Sequence, residues 1–227
     1  PYIPGSALKG ALRTGYVFTR WNTGIVQEIA KRMESDRSVR RPGAAAESMT
    51  IGTAAADPMR VALIADSNAV EHSNFKIYLT RVAKLQARQP NTYELGWKQA
   101  PRGTAPAQRV DQSTPTFVEM AVPGTQFGGD CSERDYLKSA ELTRVLHWRN
   151  QHSLNEIVSA ANRFAAHLLA AEEQYAEIAK LPRVGDAVRT LKAELQSVEQ
   201  QQGECLLNLG WGGGFTLLLL NRLKLSL

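Results

Sequence analysis

The sequence predicts an α+β fold, and three patterns carry that expectation. Short runs of strand character, rich in aliphatic and aromatic residues and bounded by Pro and Gly, cluster between residues 59 and 127. Two long segments with apolar residues at helical spacing follow residue 133, and a third such segment opens the chain. The change of character divides the 227 residues into a region 1–130 with long loops and a region 131–227 that is helical and ends in a glycine-rich segment. At 43% hydrophobic and 22% charged, the chain has the length of one large or two small domains and enough apolar material for a core.

At the start, Pro4-Gly5 breaks the chain and Ser6 is placed to cap a helix. Leu8, Leu12 and Tyr16, then Ile25 and Ile29, follow at helical spacing, with Gly24 as an interruption. The charged and then Ala/Gly/Ser-rich stretch 31–58 reads as a surface loop or a mobile insertion. Residues 59–66 read as a short buried strand, and the alternation of Phe75, Ile77 and Leu79 predicts one strand over 75–87. Pro90, Pro101, Pro106 and Pro115 mark 88–115 as a long loop. Residues 116–122 form a strand, Pro123-Gly124 a turn, and Thr125 to Phe127 the start of a return strand. Residues 134–147 read as helical. The clearest helix covers 153–180: Ser153 caps it with Glu156 three residues on, and Leu154, Ile157, Ala161, Phe164, Ala165 and Leu168 lie in its apolar stripe. Pro182 ends it. A last helix, with Val184, Val188, Leu191, Leu195 and Val198 on one side, stops near Gly203.

No apolar run approaches the roughly 20 residues that span a bilayer, the longest being Phe215 to Leu220. No membrane association, cofactor or metal is expected. Cys131 and Cys205 read as free thiols of a reducing cytosol, which points to a cytoplasmic protein. The chain opens on Pro1 and its first helix follows at once, which reads as the loss of a preceding strand.

The net charge of +5 lies at one end. Residues 1–41 hold eight Lys/Arg against three acids, while 42–227 hold 19 of each sign. A local basic excess is the footprint of a polyanion partner, or else a solvated charged face.

Two motifs suit such a partner. In Ile3-Pro4-Gly5-Ser6-Ala7-Leu8-Lys9-Gly10-Ala11-Leu12-Arg13, a turn feeds a capped helix, so backbone N–H groups and the helix dipole offer positive charge to phosphates. Lys9, Arg13 and Arg20 share roughly one side, and Gly10 admits close approach of a ligand backbone. In Leu209-Gly210-Trp211-Gly212-Gly213-Gly214-Phe215, four glycines in five positions permit an anion-binding concavity. It is neither a Walker loop nor a dinucleotide fingerprint.

Together the two segments resemble the signatures of the RAMP superfamily of CRISPR-associated proteins, the first its "PGSSLKG-x-hR" motif and the second its C-terminal glycine-rich loop. Val61 to Ser67 (VALIADS), Phe117 to Phe127 (FVEMAVPGTQF) and Asn162 to Glu173 (NRFAAHLLAAEE) are similar to segments of one subunit type, the fifth Csm protein of type III-A complexes. The resemblance implies a ferredoxin-like (RRM-like) RAMP fold with added helices. It implies a non-catalytic subunit that binds crRNA, caps its 3′ end, supports its maturation in antiviral defence and contacts other subunits of a type III complex. Carried onto matching positions, it points to Ser6, Lys9, Gly10 and Arg13, joined by Arg20 on the same helix side, and to Gly210, Gly212, Gly213 and Gly214 as RNA contacts. Ala7 replaces the second serine of the motif, which removes one phosphate hydrogen bond, and Thr216 to Leu220 departs from the polar continuation of the family.

Catalysis is not expected. None of the four histidines (His72, His147, His152, His167) sits at metal-ligand spacing. Asp66 after an apolar run is the most tempting acid. Two alternatives stay open from sequence: a RAMP endoribonuclease that cuts crRNA precursor or target RNA, and a purely structural scaffold subunit.

Overall fold

The computed structural model describes residues 1–35, 42–89, 92–101, 103–148 and 151–210. Its helices are α1 (Gly5–Arg20), α2 (Thr23–Ser35), α3 (Pro42–Ile51), α4 (Ala140–Val145), α5 (Leu154–Ile178) and α6 (Pro182–Glu199). Its strands are β1 (Ala62–Ile64), β2 (Phe75–Thr80), β3 (Ala83–Gln89), β4 (Thr92–Trp97), β5 (Thr116–Ala121) and β6 (Cys131–Glu133). The class is α+β. Among the described residues, no helix is long and apolar enough to cross a membrane.

The core is built on α5. Ser153 Oγ accepts the N–H of Glu156 at 3.2 Å, so the cap that the sequence announces is made. Its apolar stripe then meets α1 at a close crossing. A Cβ added to Gly15 would lie 2.6 Å from the Cα of Ala161, so only glycine lets the two backbones come this near. Around that point Leu12, Tyr16, Val17, Phe18 and Trp21 join Ile157, Ala160, Ala161 and Phe164 in the largest buried cluster. Each large side chain buried here contributes about 1.5–3 kcal/mol over the exposed state. A second cluster joins α5 to α6 through Ala165, Leu169, Val188 and Leu195. A third holds Val61, Leu137 and Trp148. The largest cluster thus joins residues from both sides of residue 130.

The strands pair as three antiparallel two-stranded ladders, β1–β6, β2–β5 and β3–β4, so no four-stranded ferredoxin-like sheet stands among the described residues. Lys98 N donates to Val82 O at 2.9 Å and Thr114 N to Lys98 O at 3.2 Å, which links β3–β4 to β2–β5 as one arm.

Several sequence expectations need correction. Ser6 does not cap α1: the cap position is Pro4, without a side-chain bond. The first helical pattern breaks at Trp21 and Asn22, not at Gly24, because Asn22 Oδ1 accepts the N–H of Ile25 at 3.0 Å and starts α2 afresh. Part of the expected loop 31–58 is helical, since α2 runs to Ser35 and the alanine-rich stretch forms α3. The strand expected over 75–87 is two strands, interrupted at Arg81, whose guanidinium donates to Ser113 O. The proline-rich loop contains β4, held by pairing with β3. Residues 125–127 form no strand. Pro182 opens α6, where its missing N–H costs nothing. Over 134–147 a 3₁₀ turn precedes the short α4.

Candidate nucleic-acid interface

The start of α1 is held by a segment sixty residues away. Gly5 N donates to Asp66 Oδ1 at 2.7 Å, placing a carboxylate on the positive end of the helix. Ile3 N donates to Ser67 Oγ at 2.8 Å, and Ser67 N returns a bond to Ile3 O at 2.9 Å. A Cβ on Gly5 would collide with the carbonyl of Ile64, which explains glycine at this position. Ala7 N and Leu8 N both turn to Pro4 O. Most of the amides expected to face phosphate are therefore engaged within the chain. Asp66, the most tempting catalytic acid, serves as the helix-end anion. The Ser6 side chain stays exposed.

The basic side of α1 is also internally partnered. Lys9 Nζ donates to Ala62 O at 2.8 Å; burial and the nearby Arg134 charge depress its pKa, partly offset by Asp57. Arg13 pairs with Glu47, and its Nε lies 3.2 Å from Asp57 Oδ2. These pairs hold its pKa above the usual value against the opposing effect of burial. Arg20 pairs with Glu156, and its guanidinium carbon sits 3.4 Å from the centroid of the Tyr16 ring. Burial foremost pushes the Tyr16 hydroxyl pKa well up, and that hydroxyl lies 2.9 Å from His152 Nδ1. His152 Nδ1 is also 3.3 Å from Glu156 Oε2. The side that sequence spacing reads as a phosphate track therefore ties α1 to its neighbours, with all three cations only partly exposed.

The opposite side of α1 is open. Ala7, Gly10, Ala11 and Thr14 form one wall of a cleft of about 740 Å³, and α5 and α6 form the others through residues such as Leu168, Val184 and Leu191. The cleft explains why Val184 and Leu191, which the helical pattern assigns to a core, remain 39% and 42% exposed. Residues 206–210 close its rim, so Gly10 of the first motif and Gly210 of the second line the same space. Nothing lies within 4 Å of where a Cβ on Gly10 would stand. Gly210 has φ +89°, a conformation that favours glycine. Trp211, Gly212, Gly213 and Gly214 lie outside the described residues.

One residue without an assigned role in the sequence reading positions this rim. Asn162, 5% exposed within the apolar stripe of α5, donates from Nδ2 to Glu204 O at 3.0 Å and accepts from Leu206 N at 2.9 Å. A buried asparagine requires such partners, so its presence in that stripe was the available signal. Between these two bonds lies Cys205, whose thiol pKa burial, helped by Cys131, pushes up to about 11. Among the described residues, no group of three His, Cys, Asp or Glu side chains is arranged to hold a metal ion.

No family model and no curated protein matches the chain. Solved structures do. The crystal structure of T. onnurineus Csm5 superposes with a TM-score of 0.57 at 19% identity, over 98% of this chain and 65% of that one. A chain of the cryo-EM structure of a Csm-crRNA-target RNA ternary complex, from a type III-A CRISPR-Cas system, superposes with a TM-score of 0.53 at 17% identity. That match covers 96% of this chain and 59% of that one. The fold is shared across nearly the whole chain, which spans about three-fifths to two-thirds of the length of these structures.

Proposed function

We propose that the chain is a Csm5-like RAMP protein that binds crRNA, without cutting it, as a subunit of a type III-A effector complex. The observation that carries this reading is the meeting of the two motif segments: Gly10 and Gly210, two hundred residues apart in sequence, line one cleft beside α1. The likeness of fold to T. onnurineus Csm5 and to a chain of the crRNA-bound Csm complex supports it. In this reading the chain belongs to a ferredoxin-like RAMP architecture and acts at the 3′ end of the crRNA, where it supports crRNA maturation. The exposed Ser6 hydroxyl and the bare backbone at Gly10 and Gly210 meet the sugar-phosphate chain. Lys9, Arg13 and Arg20 hold the helix in place from its other side. Such contacts read the backbone and not the base sequence.

The test uses two variants of the whole chain with a single-stranded RNA of crRNA sequence. Gly10→Glu adds a carboxylate to the wall of the cleft, at a position where the added Cβ meets no atom within 4 Å, and is expected to weaken RNA binding at least tenfold. Lys9→Ala, which loosens α1 from β1 on the side away from the cleft, is expected to weaken it less and to change the slope of log affinity against log salt by less than about one. Filter binding across a salt series measures both, with circular dichroism checking the fold. Unchanged affinity in both variants would remove α1 from the RNA interface.

A further inference from the structure

The β2–β5 ladder carries its most exposed apolar side chains on one face. Its register sets Leu79 opposite Phe117 and Ile77 opposite Glu119, and residues directly opposite one another in a ladder share a face. Ile77, Leu79 and Phe117 are 74%, 53% and 67% exposed. They form a strip with Glu119 set within it. The reverse face is the better covered one, with Tyr78, Thr80 and Val118 half-buried. No described residue of the arm belongs to any of the three buried clusters. A two-stranded ladder without a cover is marginal in water, and a contiguous exposed apolar patch marks an interaction surface.

We infer that the Ile77–Leu79–Phe117 face is a docking surface for a neighbouring protein subunit, whose own patch is apolar and carries an Arg or Lys to meet Glu119. The chemistry of the strip selects protein over RNA. Phe117 is the one aromatic ring among the three, Ile77 and Leu79 are aliphatic, and the Glu119 carboxylate between Phe117 and Ile77 repels the phosphate of any strand whose base would stack there. Lys76, the cation of β2, pairs in register with Met120 and so lies on the reverse face. Glu119 lies within the strip, opposite Ile77, so an apolar partner surface must bring one cation to meet it, and that requirement confers specificity. The inference rests on the functional reading above in one respect: the partner is taken to be a subunit of the same assembly.

The experiment combines the whole chain with crRNA and the other subunits of a type III-A Csm complex, prepared without their Csm5. Two variants are compared with wild type, Glu119→Arg and the double substitution Ile77→Ser with Phe117→Ser. Both are expected to join the assembly at least tenfold more weakly than wild type, while the isolated chains bind crRNA unchanged and keep the wild-type circular dichroism spectrum. Incorporation of both variants at wild-type affinity overturns the docking face and leaves the functional reading standing. Loss of crRNA affinity by the isolated variants overturns it in favour of an RNA-facing strip. A wild-type chain that neither binds crRNA nor joins the assembly overturns the functional reading, and this inference with it.

Discussion

The helices around α5 and the arm built from β2 to β5 spend their apolar residues in opposite ways. Around α5, the large side chains of α1 are fully enclosed: Tyr16 and Phe18 are at most 1% exposed, and even the cations of the helix are bound to acids or carbonyls. In the arm, residues of equal hydrophobicity face outward, and backbone pairing with a few side-chain bonds such as Arg81 to Ser113 O sets the shape. The first region carries the stability of the molecule. The second has a fixed conformation and an unspent surface, which is the condition under which a partner gains most from binding.

A matched pair of leucines tests this contrast most directly. Leu12→Ala, at a site 5% exposed, is expected to cost about 3 kcal/mol. Leu79→Ala, at a site 53% exposed, is expected to cost less than about 0.5 kcal/mol. Urea unfolding followed by tryptophan fluorescence measures both, and equal losses would break the comparison. Next in size is Gly15→Ala. Its methyl would press on the backbone of Ala161, so a loss of about 2 kcal/mol is expected, contrary to the usual gain from alanine in a helix. A stabilised variant would show that α1 and α5 are less tightly apposed.

A separate test is the pH dependence carried by Cys205, beyond the end of α6. The Cys205 thiol is raised from its ordinary value near 9 to about 11, so across that window the folded state holds a proton that the unfolded state has released. Stability from this group is complete below pH 9 and declines as the pH climbs toward 11. Cys205→Val is expected to flatten that part of the profile, measured as the urea midpoint between pH 8 and 11. An unchanged slope would mean that the thiol is better solvated than its position implies.

The same contrast governs how much the sequence disclosed. The helix over 154–178 was legible because Ser153 and a long apolar stripe, broken only by Asn162, act within a few residues of each other. The α+β class and the strand 116–121 were legible for the same local reason. Helix α3 was not, because alanine, glycine and serine together read as a loop until tertiary contacts, such as Glu47 with Arg13, stabilise the helix. The division of the first helical pattern at Trp21 and Asn22 and of the strand at Arg81 depended on bonds that periodicity does not register. At the candidate site, spacing correctly grouped Lys9, Arg13 and Arg20 on one side of a helix. It gave no sign that Ala62, Asp57, Glu47 and Glu156 meet them there, since those partners lie 34 to 136 residues away. Asp66 and Ser67 were visible as a motif, but their grip on the start of α1 is a long-range fact.

The two bonds made by Asn162 have a consequence for how this protein tolerates change in length. A donor fixed on Glu204 and an acceptor fixed on Leu206 act as a ratchet tooth: moving the chain along by one position strips both at once. Insertions or deletions at the turn after α6 are therefore absorbed before residue 204, and their strain stops there. Glu204 to Leu206 thereby stay seated on α5, next to the rim that ends at Gly210.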